Sequence, residues 1–151
     1  MEQTFPKPES EFSDKVVQIR KVSKKTKGGN QVSFTALVVS GDRKSRVGVG
    51  LGKAKSVADA IQKGINRARK TLLTVPIVDG TIPSQITLKF KGAIVLIRPG
   101  KKGRGLIAGG PVRAVVESAG IKDIVSKIIG SKNKSVNVWA TFRALQILAS
   151  Q

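Results

Sequence analysis

The stretch that most narrows the fold is Arg46 to Ser56, RVGVGLGKAKS. Val47, Val49 and Leu51 alternate with Gly48, Gly50 and Gly52. A period of two reads as a strand, here with one apolar face and one bare face. Lys53 and Lys55 follow, and Ser56 with Asp59 forms an S-x-x-D capping box before an amphipathic run. A strand therefore hands over to a helix N-terminus flanked by two lysines. Free N–H groups and partial positive charge at such a terminus suit an anion such as phosphate.

The flanking segments place this junction in a small unit. Lys15 to Lys24 supplies a strand candidate through Val16, Val17, Ile19 and Val22, and Gly28-Gly29-Asn30 signals a turn. Val32 to Ser40 is a second strand, and Gly41-Asp42 a second turn. Two successive hairpins give an antiparallel meander. The helix offers Val57, Ile61, Ile65, Ala68 and Leu72 as one stripe for the sheet. Lys63, Arg67 and Lys70 lie on another face, and Pro76 ends the element.

Residues 15–75 thus read as a β-β-β-α domain, preceded by a flexible lead-in over 1–14 and followed by a linker from Val75 to Gly80. Residues 81–151 read as β-β-α-β-α, so the class is α+β. Its strands are Gln85 to Phe90, Ala93 to Arg98 and Ile121 to Ile129. Its first helix starts at Pro111 and stops at Gly120, and its last runs from Val136 to Leu148. The long loop PGKKGRGLIAGGP, Pro99 to Pro111, joins strand to helix, and a basic turn fills Gly130 to Lys134.

Charge points to the partner. There are 28 Lys+Arg against 9 Asp+Glu, a formal net charge of +19. A polyanion is the simplest way to neutralise that self-repulsion. Nucleic acid is favoured over a membrane, since the longest apolar runs are too short to span a bilayer. The chain has no cysteine, histidine or tyrosine. That removes thiol catalysis, cysteine-ligated metals and the commonest general base. No acidic pair has a metal or acid–base spacing, so neither a catalytic nor a metal site nor a cofactor is expected. The acidic N-terminus, MEQTFPKPESEFSD, lacks the marks of a signal peptide, so a cytoplasmic location is expected.

Two glycine patterns resemble nucleotide loops. GVGLGKAK fails the phosphate-loop pattern because Val47 stands where its first glycine belongs and Ala54 follows the lysine. GRGLIA, from Gly103, fits G-x-G-x-x-A, but Asp123 sits in an unsuitable turn for the ribose-binding acid. The alternative function is therefore a phosphate- or nucleotide-handling enzyme using the Gly103 to Gly110 loop.

An RNA-binding reading has broader support. Basic residues cluster at loop tips and helix ends: Arg20, Lys21, Lys24, Lys25 and Lys27, then Arg43, Lys44 and Arg46, then Lys53 and Lys55. Lys101, Lys102 and Arg104 fill the long loop. Gly28, Gly29 and Gly52 beside lysines would let the backbone approach a phosphate. With only five Phe and one Trp, base stacking is disfavoured. Shape and phosphate recognition of folded RNA fits best.

Long ordered motifs then resemble one family. VSKKTKGGNQVSFTALVVSGD (Val22 to Asp42), RVGVGLGKAK (Arg46 to Lys55), GRGLIAGGPVRAVVESAGI (Gly103 to Ile121), GSKN and ATFRAL resemble the bacterial S-five family of small-subunit ribosomal proteins. The resemblance implies a double-stranded-RNA-binding-like first domain, then a ribosomal domain. It implies a structural role in binding small-subunit rRNA, in assembly and in translational accuracy, near the mouth where mRNA enters. It implies neighbours of the S-four and S-eight families. By motif position Val22, Ser23, Lys24, Lys27, Gly28 and Gly29 would reach the rRNA, and Gly105 and Arg113 would lie at the S-four interface.

Overall fold

The computed structural model describes residues 12–150. Of the expected lead-in, residues 1–11 lie outside the described residues. The remainder is structured: β1 spans Ser13–Thr26, and Asp14 accepts a hydrogen bond from the Arg69 guanidinium at 2.8 Å. Phe12 lies under both Arg46 and Arg69, their guanidinium carbons 5.1 and 5.4 Å from its ring centroid.

β1 pairs antiparallel with β2 (Gly29–Gly41), and β2 with β3 (Arg46–Ala54). The register runs from Thr26 opposite Gly29 to Ser13 opposite Gly41, with a bulge between Val16 and Gln18. The tip is therefore Lys27-Gly28, one residue earlier than the Gly28-Gly29-Asn30 expectation, and Gly29 takes φ 124° beside it. Helix α1 (Val57–Lys70) follows, and a short β4 (Leu73–Thr74) pairs with Arg46 and Val47. The helix ends at Thr71, before Pro76, so Leu72 lies beyond it.

β3 explains why its glycines alternate. Gly48, Gly50 and Gly52 face α1, where an added Cβ would meet the carbonyl oxygens of Ala68, Gly64 and Ala60 at 2.0, 2.3 and 2.1 Å. Helix and strand backbones touch directly. The residues α1 buries are accordingly Ala60, Gly64 and Ala68, the small ones. Ile61 and Ile65 flank them half-buried, and Val57 is exposed. The expected stripe of bulky residues is displaced because a glycine face admits only small side chains at the contact line.

The other face of this sheet, through Leu37, Val39, Val47 and Val49, belongs to a core shared with the second half of the chain. Six consecutive residues, Ala36 to Gly41, are buried, as expected for a strand covered on both sides. Val75, in the expected linker, is buried in the same core, and its N–H donates to the Ser45 carbonyl at 2.7 Å.

The second half forms β5 (Ile86–Phe90), β6 (Ala93–Pro99), β7 (Leu106–Ile107), α2 (Gly110–Ala119), β8 (Ile124–Ile129) and α3 (Lys134–Ala149). The sheet order is β5-β6-β8-β7, with β7 parallel to β8 and the other pairs antiparallel. β7 was hidden in the glycine loop because two residues carry no periodicity. β8 starts at Ile124, since residues 121–123 turn after Gly120, which caps α2 at φ 95°. Helix α3 starts earlier than expected because the Asn133 side chain caps it, accepting from the Ser135 N–H at 3.0 Å. The chain stacks as α1, first sheet, α2 with α3, then second sheet.

Candidate nucleic-acid interface

The expected cations divide between two places. β3 stops at Ala54, opposite Phe34, so β1 and β2 continue beyond it as a two-stranded ribbon. Every residue from Arg20 to Val32, the root and the length of that ribbon, is exposed. The ribbon carries Lys24, Lys25 and Lys27; Arg20 and Lys21 stand at its root, opposite Thr35 and Phe34 where β3 still pairs, and no acid lies among the five. Val22 and Ser23 lie on it too, and Ile19, Val22 and Val32 are 45%, 40% and 38% exposed. A lone ribbon is marginal in water, and exposed apolar side chains on it present a surface for a partner.

At the base of the ribbon stand Lys53 and Lys55. They line a cleft of about 660 Å³ with Ser33, Ala54, Asp59, Gln62 and Lys63. The Ser56 side chain accepts the Asp59 N–H at 3.3 Å, so the helix start is capped as the sequence indicates. The cap takes one of the free N–H groups. Gly52 itself is buried beneath Ala60 and Gly64, so its missing side chain serves the helix and not an approaching phosphate.

The helical stripe of cations has a role that sequence reasoning missed. Thr71 Oγ1, an Arg67 guanidinium N–H and Lys63 Nζ donate to the carbonyls of Val49, Leu51 and Lys53 at 3.3, 2.8 and 3.3 Å. Alternate carbonyls of a strand share one edge, and every fourth residue of a helix shares one face. The helix thus covers the strand edge that β4 leaves open, a protection such edges require.

The second place lies at the far end of the first sheet. From Gly29 to Gly41 β2 covers 13 residues, which separates the two ends by roughly 40 Å at about 3.3 Å per residue. Here the second hairpin docks on α2. The Arg43 N–H donates to the Ser118 carbonyl at 3.0 Å. The side chains of Arg43 and Lys44 remain exposed. Arg46 is held by local partners: its Nε donates to Asp42 Oδ2 at 2.9 Å and its guanidinium covers Phe12, while 42% of its side chain stays exposed. Burial raises the Asp42 pKa, but N–H groups of Arg46, Lys44 and Ser45 and the Arg46 guanidinium reverse this, holding it at about 2. Arg46, one of the expected RNA-facing cations, is thus also engaged within the fold.

The residues after α2 pack between this hairpin and the glycine loop that precedes α2: Gly120 lies against the Arg43 backbone, and Asp123 against Gly100 and Gly105. Lys101, Lys102 and Arg104 are exposed on that loop. A cleft of about 800 Å³ lies beside them, lined by Asp79, Gly80, Thr81, Gly100, Lys102, Gly103, Lys122 and Asp123. The Gly103 to Gly110 stretch is not one continuous phosphate cradle. Leu106 and Ile107 pair with Ile124 and Val125, and the Gly105 N–H is taken by the Asp123 carboxylate at 2.8 Å. That structural cause removes the basis of the nucleotide-loop alternative. Among the described residues no three His, Cys, Asp or Glu side chains group to hold a metal ion.

Gly105 and Arg113 have separate settings. Gly105 is half-buried at the loop, whereas Arg113 is exposed on α2, its Nε 3.6 Å from Glu117. Glu117 also accepts from Lys15 on β1, and that bond, offset by burial, lowers its pKa together with the Lys15 and Arg113 charges. This bridge ties the first sheet to α2.

Comparison with known proteins agrees with the motif resemblance. The family model described as ribosomal protein S5, N-terminal domain, matches residues 12–76, and that described as ribosomal protein S5, C-terminal domain, matches residues 88–151. The chain is 48% identical over 138 residues to the small ribosomal subunit protein uS5 of Treponema pallidum strain Nichols, covering 91% of this chain and 80% of that protein. It is 49% identical over 140 residues to the uS5 of Chloroflexus aurantiacus, covering 93% and 79%. The Protochlamydia amoebophila uS5 is 46% identical over 145 residues, covering 96% and 87%.

Proposed function

The chain belongs to the ribosomal protein S5 family, a family of structural small-subunit proteins rather than enzymes, and from that premise we propose that it binds small-subunit rRNA through two basic rims. One rim is the ribbon and its root, Arg20 to Gly29, with Lys53 and Lys55 at its base. The other is Lys101, Lys102 and Arg104 with Arg43 and Lys44. In this reading the protein bridges two RNA segments and so supports subunit assembly. Accuracy near the mouth where mRNA enters, and contacts of Gly105 and Arg113 with an S-four neighbour and of the chain with an S-eight neighbour, complete the proposed role.

The observation that carries the reading is the ribbon. It is exposed along its whole length, holds three lysines and no acid, has Arg20 and Lys21 at its root, and stands clear of the sheet that supports it. Such an element contributes little to the core, while lysines alternating on a twisted ribbon match the contour of phosphate rows. The test is the salt dependence of binding to small-subunit particles depleted of this protein. Neutralising six phosphates gives a log–log slope of roughly −4 to −5. Lys24→Ala, Lys27→Ala and Lys53→Ala together should make it shallower by roughly 2 to 3, with folding unchanged. A flat slope in the unaltered protein, or an unaltered slope in the variant, refutes the reading.

A further inference from the structure

Asp123 is 6% exposed, the one acid among the described residues that is buried as a whole residue. Its Oδ1 accepts the Gly105 N–H at 2.8 Å, across 18 residues of sequence. The Gly105 carbonyl in turn accepts the Ile124 N–H at 3.2 Å. At the other end of the same loop, the Gly100 N–H donates to Thr81 Oγ1 at 3.1 Å. The Gly80 carbonyl closes the arrangement by accepting the N–H groups of Lys122 and Asp123 at 2.8 and 3.0 Å. Inside the loop the Arg104 N–H donates to the Lys101 carbonyl at 3.0 Å, making a tight turn. Both ends of Gly100 to Gly105 are thus pinned to one block, residues 80–81 and 122–124. Only the tip, with Lys101, Lys102 and Arg104, projects.

We propose that Asp123 is a positioning residue, with Thr81 its counterpart, that fixes this loop as a preformed anion cradle instead of a floppy basic tether. The proposal rests on the RNA-binding reading and adds to it the group that sets the cradle's shape. Gly105 sits at φ 81°, a conformation that L side chains rarely adopt, so the loop needs an anchor there that holds the main chain alone. A carboxylate accepting a backbone N–H is such an anchor, and a charged acceptor makes the bond stronger than a neutral one. A cationic loop held in its bound shape loses less conformational freedom when it meets a phosphate row.

Geometry and electrostatics predict opposite signs here, which makes the proposal testable. A carboxylate close to phosphate repels it, so if Asp123 mattered only through its charge, removing it would tighten RNA binding. If it acts by holding Gly105, removing the acceptor weakens binding.

The experiment compares Asp123→Ala, Asp123→Asn and Thr81→Val. Affinity is read on small-subunit particles depleted of the protein, and loop order is read from Gly105 amide hydrogen exchange in the free chain. Asp123→Ala should bind about tenfold more weakly and exchange the Gly105 amide about tenfold faster, the loss expected for one bond to a charged acceptor. Asp123→Asn keeps an acceptor oxygen and should restore both. Thr81→Val, nearly the same size, should loosen the Gly100 end and weaken binding in the same sense; it serves as the folded test if Asp123→Ala does not fold. Unchanged or tighter binding by Asp123→Ala, or by Thr81→Val where that is the folded variant, overturns the proposal, as does a Gly105 amide that exchanges no faster. Replacing Lys101, Lys102 and Arg104 by alanine separates the two levels. If that triple change leaves affinity intact, the RNA role of the loop fails, while Gly105 exchange still decides whether Asp123 fixes it.

Discussion

Adding one methyl group to Gly50, the middle glycine of the line between β3 and α1, should be strongly destabilising. The new Cβ would sit 2.3 Å from the Gly64 carbonyl oxygen and 2.4 Å from the Ala68 nitrogen. Both are helix backbone, so no side chain can swing aside. To restore ordinary contact the helix must lift by about 1 Å, along a line that Gly48 and Gly52 hold equally close. Overpacking of this kind costs typically 1–3 kcal/mol, and a rigid obstacle places Gly50→Ala near the top, at about 3 kcal/mol. For a chain of this length that corresponds to a Tm lower by roughly 6–12 °C. The comparison is Gly28→Ala at the ribbon tip, where nothing lies within 4 Å of the added carbon and Tm should stay within about a degree. Thermal unfolding followed by circular dichroism measures both. If Gly50→Ala melts with the unaltered protein yet loses RNA affinity, the glycine face serves phosphate approach and the packing account is wrong.

Acid should weaken the second hairpin first. Asp42 titrates at about 2 against an ordinary 3.8, so its stabilising contribution is complete above pH 4 and lost as pH falls towards 2; Asp42→Asn should be less stable at neutral pH and lack that part of the acid dependence in denaturant titrations. Leu37 belongs to the core that both sheets share, so Leu37→Ala should cost about 2–5 kcal/mol. Its unfolding should remain a single transition, with Trp139 fluorescence and far-ultraviolet dichroism coincident; separate transitions would show that the halves fold apart. Arg67→Ala should cost less than about 1 kcal/mol, since its bond to the Leu51 carbonyl is exposed, while increasing self-association at the uncovered β3 edge, read by analytical ultracentrifugation.

Element type was legible wherever a period ran for several residues. The alternation of Val47, Gly48, Val49 and Gly50 marks a strand, and Ser56 with Asp59 marks the helix start, because both signals are local. The direction each face points was not local. An alternating strand does not reveal which side meets a helix, so the glycine face could be read as open to phosphate. The buried line of α1 was misplaced for the same reason: Ala60 and Gly64 look inconspicuous until the strand beneath them is known to be bare. β7 escaped because it is two residues long and borrows its order from β8. The ribbon cations were legible as exposed charge, since nothing apolar recurs around them at helical spacing. Arg46 was not distinguishable from its neighbours Arg43 and Lys44, because its pairing with Asp42 and Phe12 depends on a turn closing. Asp123 was dismissed on motif grounds, and its bond to Gly105 appears only once loop and turn meet in space.

A density map of the assembled small subunit, at a resolution showing lysine side chains, tests the central claim most directly. The account predicts the ammonium groups of Lys24, Lys27, Lys53 and Lys55 within hydrogen-bond reach, about 3 Å, of rRNA phosphate oxygens, and Lys101, Lys102 or Arg104 on a second RNA segment. A ribbon and glycine loop that both face open solvent, or that lie wholly against protein, would contradict it.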